Sequence, residues 1–237
     1  MTALNIIMIS GRKRSGKTTA ASALSDFGYT PLALADMLKY DLAILNPIIG
    51  VETTGDQRGD CQPVYLNQAL KEYGEDGVKS LYPEYRRLMQ QYGTEIRRTE
   101  DDKHWVKLLV KRIMKRYEEA VNEGQERCDI VVTDTRFMDE YVNINHELGA
   151  ALHTFNRRKD EGAETVYKDL LIVMDRPAIS DTDDTHSSEI GVLEIQQSGK
   201  GLHVLNDGSI EDLIKCIDNI EAAFRASKSN HLLGELA

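Results

Sequence analysis

Cysteine is scarce: Cys61, Cys128 and Cys216 are odd in number and widely spaced, with no CxxC pair and no histidine at zinc-finger spacing. That excludes a disulfide framework and a structural zinc site, and the three read as ordinary cytosolic thiols. Long apolar runs are missing too. No stretch approaches the roughly 18 residues of a membrane span, and the apolar start, Leu4 to Ile9, is too short for a secretory core segment and runs directly into a Gly/Lys motif. The expectation is a soluble, cytoplasmic protein with no membrane partner. A basic tail is also lacking. With a net charge of −10 the chain is a poor candidate for coating nucleic acid. Internal repeats and low-complexity tracts are absent.

The charge that exists is unevenly spread. Residues 1–118 hold 18 Lys/Arg against 15 Asp/Glu, and the remainder holds 11 against 24, so an anion site belongs mainly to the first half. At 237 residues and 41% hydrophobic, the chain can bury one sizeable core. One folding unit over 1–237 is therefore expected.

Residues 3–9 form a continuous apolar run suited to a parallel strand covered on both faces. Further strand candidates are Tyr29–Ala33, Asp129–Thr133, Ala151–Phe155, Leu170–Met174 and Leu202–Leu205, most followed by helical patterns. That alternation predicts an α/β fold with a doubly wound, mostly parallel sheet. Val106, Leu109, Val110, Ile113, Met114 and Tyr117 recur at helical spacing, leaving a basic face that reads as solvated surface. Asn46–Tyr82 is rich in Gly and Pro, with a short helical run near Leu66–Tyr73, and reads as a substrate-side insertion. Arg176–Ser188, dense in Asp, Ser and Thr, reads as a loop over a site. The tail after Ala226 is expected to fray.

Gly11-Arg12-Lys13-Arg14-Ser15-Gly16-Lys17-Thr18 matches G-x-x-x-x-G-K-[ST], placed after a strand and before the helical run Thr19–Phe27. In such a loop the glycines let backbone N–H groups face an anion. Lys17 then bridges the β- and γ-phosphates of ATP, and Thr18 can ligate Mg²⁺. Asp134 closes the apolar run Ile130–Val132 at the C-terminal edge of a strand, where ligands of open α/β sheets bind. Two roles compete for it: an acid that holds the magnesium shell, or a cap for the helix starting near Phe137.

Arg86, Arg87, Arg97, Arg98 and Arg136 supply more guanidinium than ATP alone requires and suit a second phosphate; a surface ion pair is the bland alternative for each, and the weaker one for Arg136, which stands beside Asp134 at a strand end. A phosphate monoester is largely ionised at pH 7, so no general base is needed. His186 with Asp183, Asp184 and Glu189 lacks fixed ligand geometry and is not read as a metal site.

With these segments in view, the chain resembles the bacteriophage deoxynucleoside monophosphate (dNMP) kinases of the adenylate-kinase-like P-loop fold. The matching stretches are I-S-G-R-K-R-S-G-K, L-A-D-M-L-K, R-R-L-M-Q-Q-Y-G-T-E, H-W-V-K-L, V-V-T-D-T-R-F, D-T-H-S-S-E and L-N-D-G-S-I-E-D-L, in the family's order. The resemblance implies a P-loop three-layer sandwich in which 47–104 forms the substrate-binding insertion and 157–190 the lid. It implies transfer of the ATP γ-phosphoryl group to a dNMP, with Mg²⁺, in the cytoplasm of an infected host cell. Gly11, Lys13, Arg14, Ser15, Gly16, Lys17, Thr18 and Thr19 would hold ATP, with Asn206, Asp207 and Gly208 near its adenine; the bland reading of that turn is a strand-to-helix connection with Ser209 as N-cap. Lys17, Arg14, Arg136 and Asp134 would be catalytic, and Thr18 and Asp134 would serve the metal. Asp36, Lys39, Arg87, Gln90, Gly93, Trp105, Arg136 and Glu140 would border the acceptor. Arg157, Arg158 and Arg176 are alternative lid arginines.

Three departures stand out. Lys17 is followed by Thr18 and Thr19, where the family often has Asp then Thr, and this restores the ordinary P-loop pattern. The passage from strand to lid is lengthened. Residues 47–82 match the family poorly, which leaves the base open. Other expectations are a homodimer, and two alternative functions: another small-molecule P-loop kinase of the dephospho-coenzyme-A kinase kind, or a non-catalytic nucleotide-dependent binding protein.

Overall fold

The computed structural model describes residues 2–53, 60–96, 101, 103–158, 165–177 and 187–227. In chain order the elements are β1 (Ala3–Gly11), α1 (Lys17–Asp26), β2 (Thr30–Leu32), α2 (Leu34–Leu45), β3 (Ile48–Thr53), β4 (Cys61–Tyr65), α3 (Leu66–Leu81), α4 (Pro83–Gln90), a π-helical turn (Gln91–Ile96), α5 (His104–Asn122), β5 (Arg127–Val132), α6 (Met138–Arg158), β6 (Tyr167–Asp175), α7 (Ser187–Gln197), β7 (Leu202–Leu205) and α8 (Ile210–Ala226). The chain divides into two compact units. One runs to Leu34 and resumes at Val106; the other is Ala35–Trp105.

The first unit is built on a five-stranded sheet, order β2-β5-β1-β6-β7, with every pairing parallel. Its register explains the apolar runs. Ile7 pairs with Val131 and with Leu170, and Met174 pairs with Val204, so each rung puts apolar side chains on one face. That face carries Ile7, Ile9, Val131, Leu170, Ile172, Met174 and Val204, packed against Ala20 and Leu24 of α1 and Leu213, Ile217 and Phe224 of α8. Burying one such side chain contributes about 1.5–3 kcal/mol. The alternate residues face the other way. Among them Asp169 accepts a 2.5 Å hydrogen bond from the Tyr141 hydroxyl, which pins α6 to the opposite side of the sheet. Helix, sheet and helix thus give the expected three-layer α/β sandwich.

The second unit holds the antiparallel hairpin β3–β4, most of α2, and α3 and α4. Its buried side chains include Leu38, Leu42, Ile49, Val64, Leu66, Val78, Tyr85 and Trp105. Gly74, at φ 66° and ψ 175°, breaks the helical path within α3. Gly50 admits the Tyr82 ring at 2.8 Å from where a Cβ would stand.

The structure corrects several expectations. Ala151–Phe155 is not a strand but the end of α6, because Tyr141, Ile144, Leu148 and Leu152 set a helical stripe through it. The Gly/Pro-rich stretch of 46–82 contains a hairpin and a long helix. Within the span expected to form the lid, Tyr167–Asp175 is β6, hydrogen-bonded to β1 at the sheet's centre. The solvated basic face of α5 is observed: Lys111, Arg112, Lys115 and Arg116 are exposed, and Arg116 pairs with Glu119 at 2.8 Å. Arg97, Arg98, the 183–186 cluster and the chain from 228 lie outside the described residues.

Candidate phosphate-binding site

Parallel pairing brings the C-terminal ends of all five strands to one edge. There β1 ends at Gly11 between β5, which leads to Asp134, and β6, which leads to Arg176. The loop from Arg12 to Gly16 then turns the chain into α1. Its conformation demands its glycines: Gly11 has φ +153°, and a Cβ there would stand 2.5 Å from Ser15 Oγ and 2.8 Å from the Met174 carbonyl. Gly16, at φ +103°, sits at the N-cap of α1 with no side-chain cap of its own. Arg14 also takes a left-handed conformation, φ +66°. The leading turn of α1 therefore presents uncapped N–H groups, the positive end of its dipole.

Lys17 Nζ lies across the loop, donating to the carbonyls of Gly11 at 2.6 Å and Arg12 at 2.7 Å. A compact cation is thereby held at the loop's mouth. Ser15 Oγ is buried and, among the described residues, has no hydrogen-bond partner; the same is true of Ser10 Oγ in β1 and Thr135 Oγ1 beside Asp134. Three unsatisfied hydroxyls around one strand end are costly, about 1–3 kcal/mol each. Bound ligand or water would relieve them. Thr18 is exposed at the second position of α1, while Lys13 and Arg14 project from the loop into solvent and Thr19 is half-buried.

Asp134 Oδ1 accepts the Leu34 N–H at 2.7 Å, so it serves the first residue of α2. The helix near Phe137, whose cap was one of the two roles considered for Asp134, is capped by Glu140: its Oε2 accepts the N–H groups of Arg136 at 2.7 Å and Phe137 at 3.0 Å. Glu140 is buried. The Arg136 side chain is exposed at the same edge.

Of the three arginines considered for a lid, Arg176 stands beside the loop, its Nη1 donating to the Arg14 carbonyl at 3.4 Å. Arg157 and Arg158 occupy the last turn of α6. Just before them Phe155 packs edge-on to Tyr117, whose hydroxyl bonds the Thr2 carbonyl at the start of β1. They lie at the other end of the sheet.

Asn206 follows β7. Its Nδ2 donates to the Ser15 carbonyl at 2.9 Å in a buried contact, which sequence reading did not anticipate. Asp207 and Gly208 are exposed, and Ser209 caps α8 in a reciprocal box with Asp212. The Asp212 carboxyl is held below its usual value by those Ser209 hydrogen bonds.

The remaining candidates belong to the second unit. Trp105 is buried and donates its indole N–H to the Gly93 carbonyl at 2.8 Å, while Gly93 meets Leu38 at 2.8 Å from a Cβ position. That pair packs the unit's interior. Lys39 contacts Glu75 at 2.9 Å, and Glu75, despite burial that opposes it, is held low by Lys79 and Lys39. Arg87 grips Glu84 through Nε at 2.7 Å and Nη2 at 2.5 Å and reaches Gln91 Oε1 at 2.5 Å. Gln90 is exposed and Asp36 half-buried in the first turn of α2.

The first unit's residues fit a nucleotide polyphosphate: a glycine-bounded loop, a positioned ammonium and buried hydroxyls lacking partners. Thr18 and Asp134 offer hard oxygen donors of the kind magnesium takes. Among the described residues no group of three or more His, Cys, Asp or Glu could hold a metal by itself, and no helix is long and apolar enough to cross a membrane.

No known family profile matches the chain, and neither does any curated protein. Among solved structures it is similar to an unliganded sugar kinase from Janibacter sp. HTCC2649, at 14% identity over 97% of this chain and 100% of that one, TM-score 0.41. It is also similar to a Thermus thermophilus protein, at 17% identity over 94% and 98%, TM-score 0.41.

Proposed function

We propose that the chain is a kinase that transfers the γ-phosphoryl group of ATP to a nucleoside monophosphate, a dNMP by its resemblance to the phage enzymes. The observation that carries this reading is the loop between β1 and α1, where two left-handed glycines and the Lys17 ammonium form a polyphosphate cradle at the C-terminal edge of a parallel sheet.

In this reading the amides at the α1 N-terminus and Lys17 hold the β- and γ-phosphates. Magnesium, when bound through Thr18 and Asp134, would offset phosphate charge. Arg176 and Arg14 border the same loop and would neutralise the transferring group. An acceptor phosphate oxygen attacks the γ-phosphorus in line, the bond to the β,γ-bridging oxygen breaks, and ADP leaves with that electron pair. The acceptor is ionised at neutral pH, so no side chain removes a proton. Arg136, exposed at the strand edge, would reach the acceptor phosphate, and the resemblance alone gives Asp36, Lys39, Arg87 and Gln90 an acceptor role. The setting is cytoplasmic.

A coupled assay tests this. Purified protein with Mg-ATP is given each dNMP, each NMP and dephospho-coenzyme A in turn, and ADP release is followed. A dNMP should raise the rate well above the ATP-only background. Stimulation by dephospho-coenzyme A alone would move the acceptor, and no stimulation by any monophosphate would defeat the proposal.

A further inference from the structure

Asn206 is only 8% exposed and is fixed from both its backbone and its side chain. Its N–H donates to the Asp175 carbonyl at 2.7 Å, extending the β6–β7 ladder one residue past the strand. Its Nδ2 donates to the Ser15 carbonyl across 191 residues of sequence. The same nitrogen stands 2.5 Å from where a Gly16 Cβ would lie, so the amide fills the space that glycine leaves.

The Ser15–Gly16 peptide is trans, and in a planar trans peptide the carbonyl and the N–H point in opposite directions. Anchoring the Ser15 carbonyl on Asn206 therefore turns the Gly16 N–H away from Asn206. We infer that Asn206 is a positioning residue that presets this peptide, so that the Gly16 N–H is already aimed at a bound phosphate. It acts through the loop's backbone and not on the nucleobase. This differs from the place beside adenine that the resemblance implies for the 206–208 turn, and the turn's shape is already accounted for by the Ser209–Asp212 box. The inference rests on the reading of the loop as a polyphosphate cradle. It does not depend on which acceptor is used.

Inorganic tripolyphosphate, which has no base, separates the two roles. Calorimetric titration of wild type and Asn206→Asp with Mg-ATP and with tripolyphosphate compares them directly. The substitution is isosteric and turns a donor into an acceptor facing a carbonyl. Both ligands should weaken by about tenfold and by the same factor. Weakened ATP with unchanged tripolyphosphate would make Asn206 a base contact and overturn the inference, as would no change in either. If wild type binds neither ligand, the cradle reading itself fails and takes this one with it.

A buried carboxylate can also unfold a variant, so ¹⁵N-labelled wild type gives a second reading. The Asn206 side-chain amide signal should shift with tripolyphosphate and stay put with adenosine. The reverse pattern overturns the inference.

Discussion

The strand β1 and the hairpin β3–β4 make opposite use of similar residues. Of the nine residues of β1 seven are buried, whereas each hairpin strand buries one. Ile48 and Val51 of β3 are 51% and 65% exposed, as are Tyr40, Ile44 and Leu45 of α2 to a comparable degree. A strand flanked on both sides and covered on both faces sets a fixed platform from which a loop can hold strained angles. A two-stranded ribbon with little beneath it is marginal alone and tolerant of change. The contrast leaves the loop after β1 on a rigid base and the hairpin free to vary.

The largest effect should come from Lys17→Ala. Removing the ammonium should cut kcat for phosphoryl transfer by about 10³-fold while leaving the melting temperature near that of wild type, read from initial rates and thermal denaturation. A variant that keeps its rate would remove the cradle from the mechanism. The next largest contrasts the platform with the ribbon. Ile172→Ala, at a fully buried site, should cost about 2–5 kcal/mol of unfolding free energy, and Val51→Ala at most about 0.5, both from denaturant titration. Equal costs would erase the distinction. The smallest effect is chemical. Burial pushes the Cys128 thiol up to about 11, so at pH 8 it is almost wholly protonated and should react last with a disulfide reagent, after exposed Cys61. Its folded value lies above the unfolded one, so the stability it lends is complete below about pH 8.5 and is lost as pH rises toward 11. Prompt labelling of Cys128 would show that β5 opens readily.

The cradle was legible in the sequence because its parts are contiguous: an apolar strand, a glycine-spaced loop and a helix fit in a couple of dozen residues. The central strands were legible for a related reason, since burial on both faces leaves unbroken apolar runs at 130–132 and 170–174. Ala151–Phe155 carries a partly apolar stretch, yet it continues a stripe begun at Tyr141, and the longer period prevails over the local run. The hairpin was hidden by its exposure, which removes the alternation that marks a half-buried strand. The contacts of Asn206 and Glu140 were hidden for another reason. Each spends its side chain on a backbone group, a partner without sequence identity, and in the case of Asn206 one that lies 191 positions away.

Lys17 does not wait in solvent for its ligand: its two hydrogen bonds to Gly11 and Arg12 occupy it beforehand. In the proposed reaction nucleotide arrival would be a trade of one set of oxygens for another, with a net gain far smaller than a bare ammonium meeting phosphate would yield. Departure benefits by the same amount. In the proposed reaction the lysine would have carbonyls to return to when ADP leaves, which would favour rapid turnover over tight retention of product.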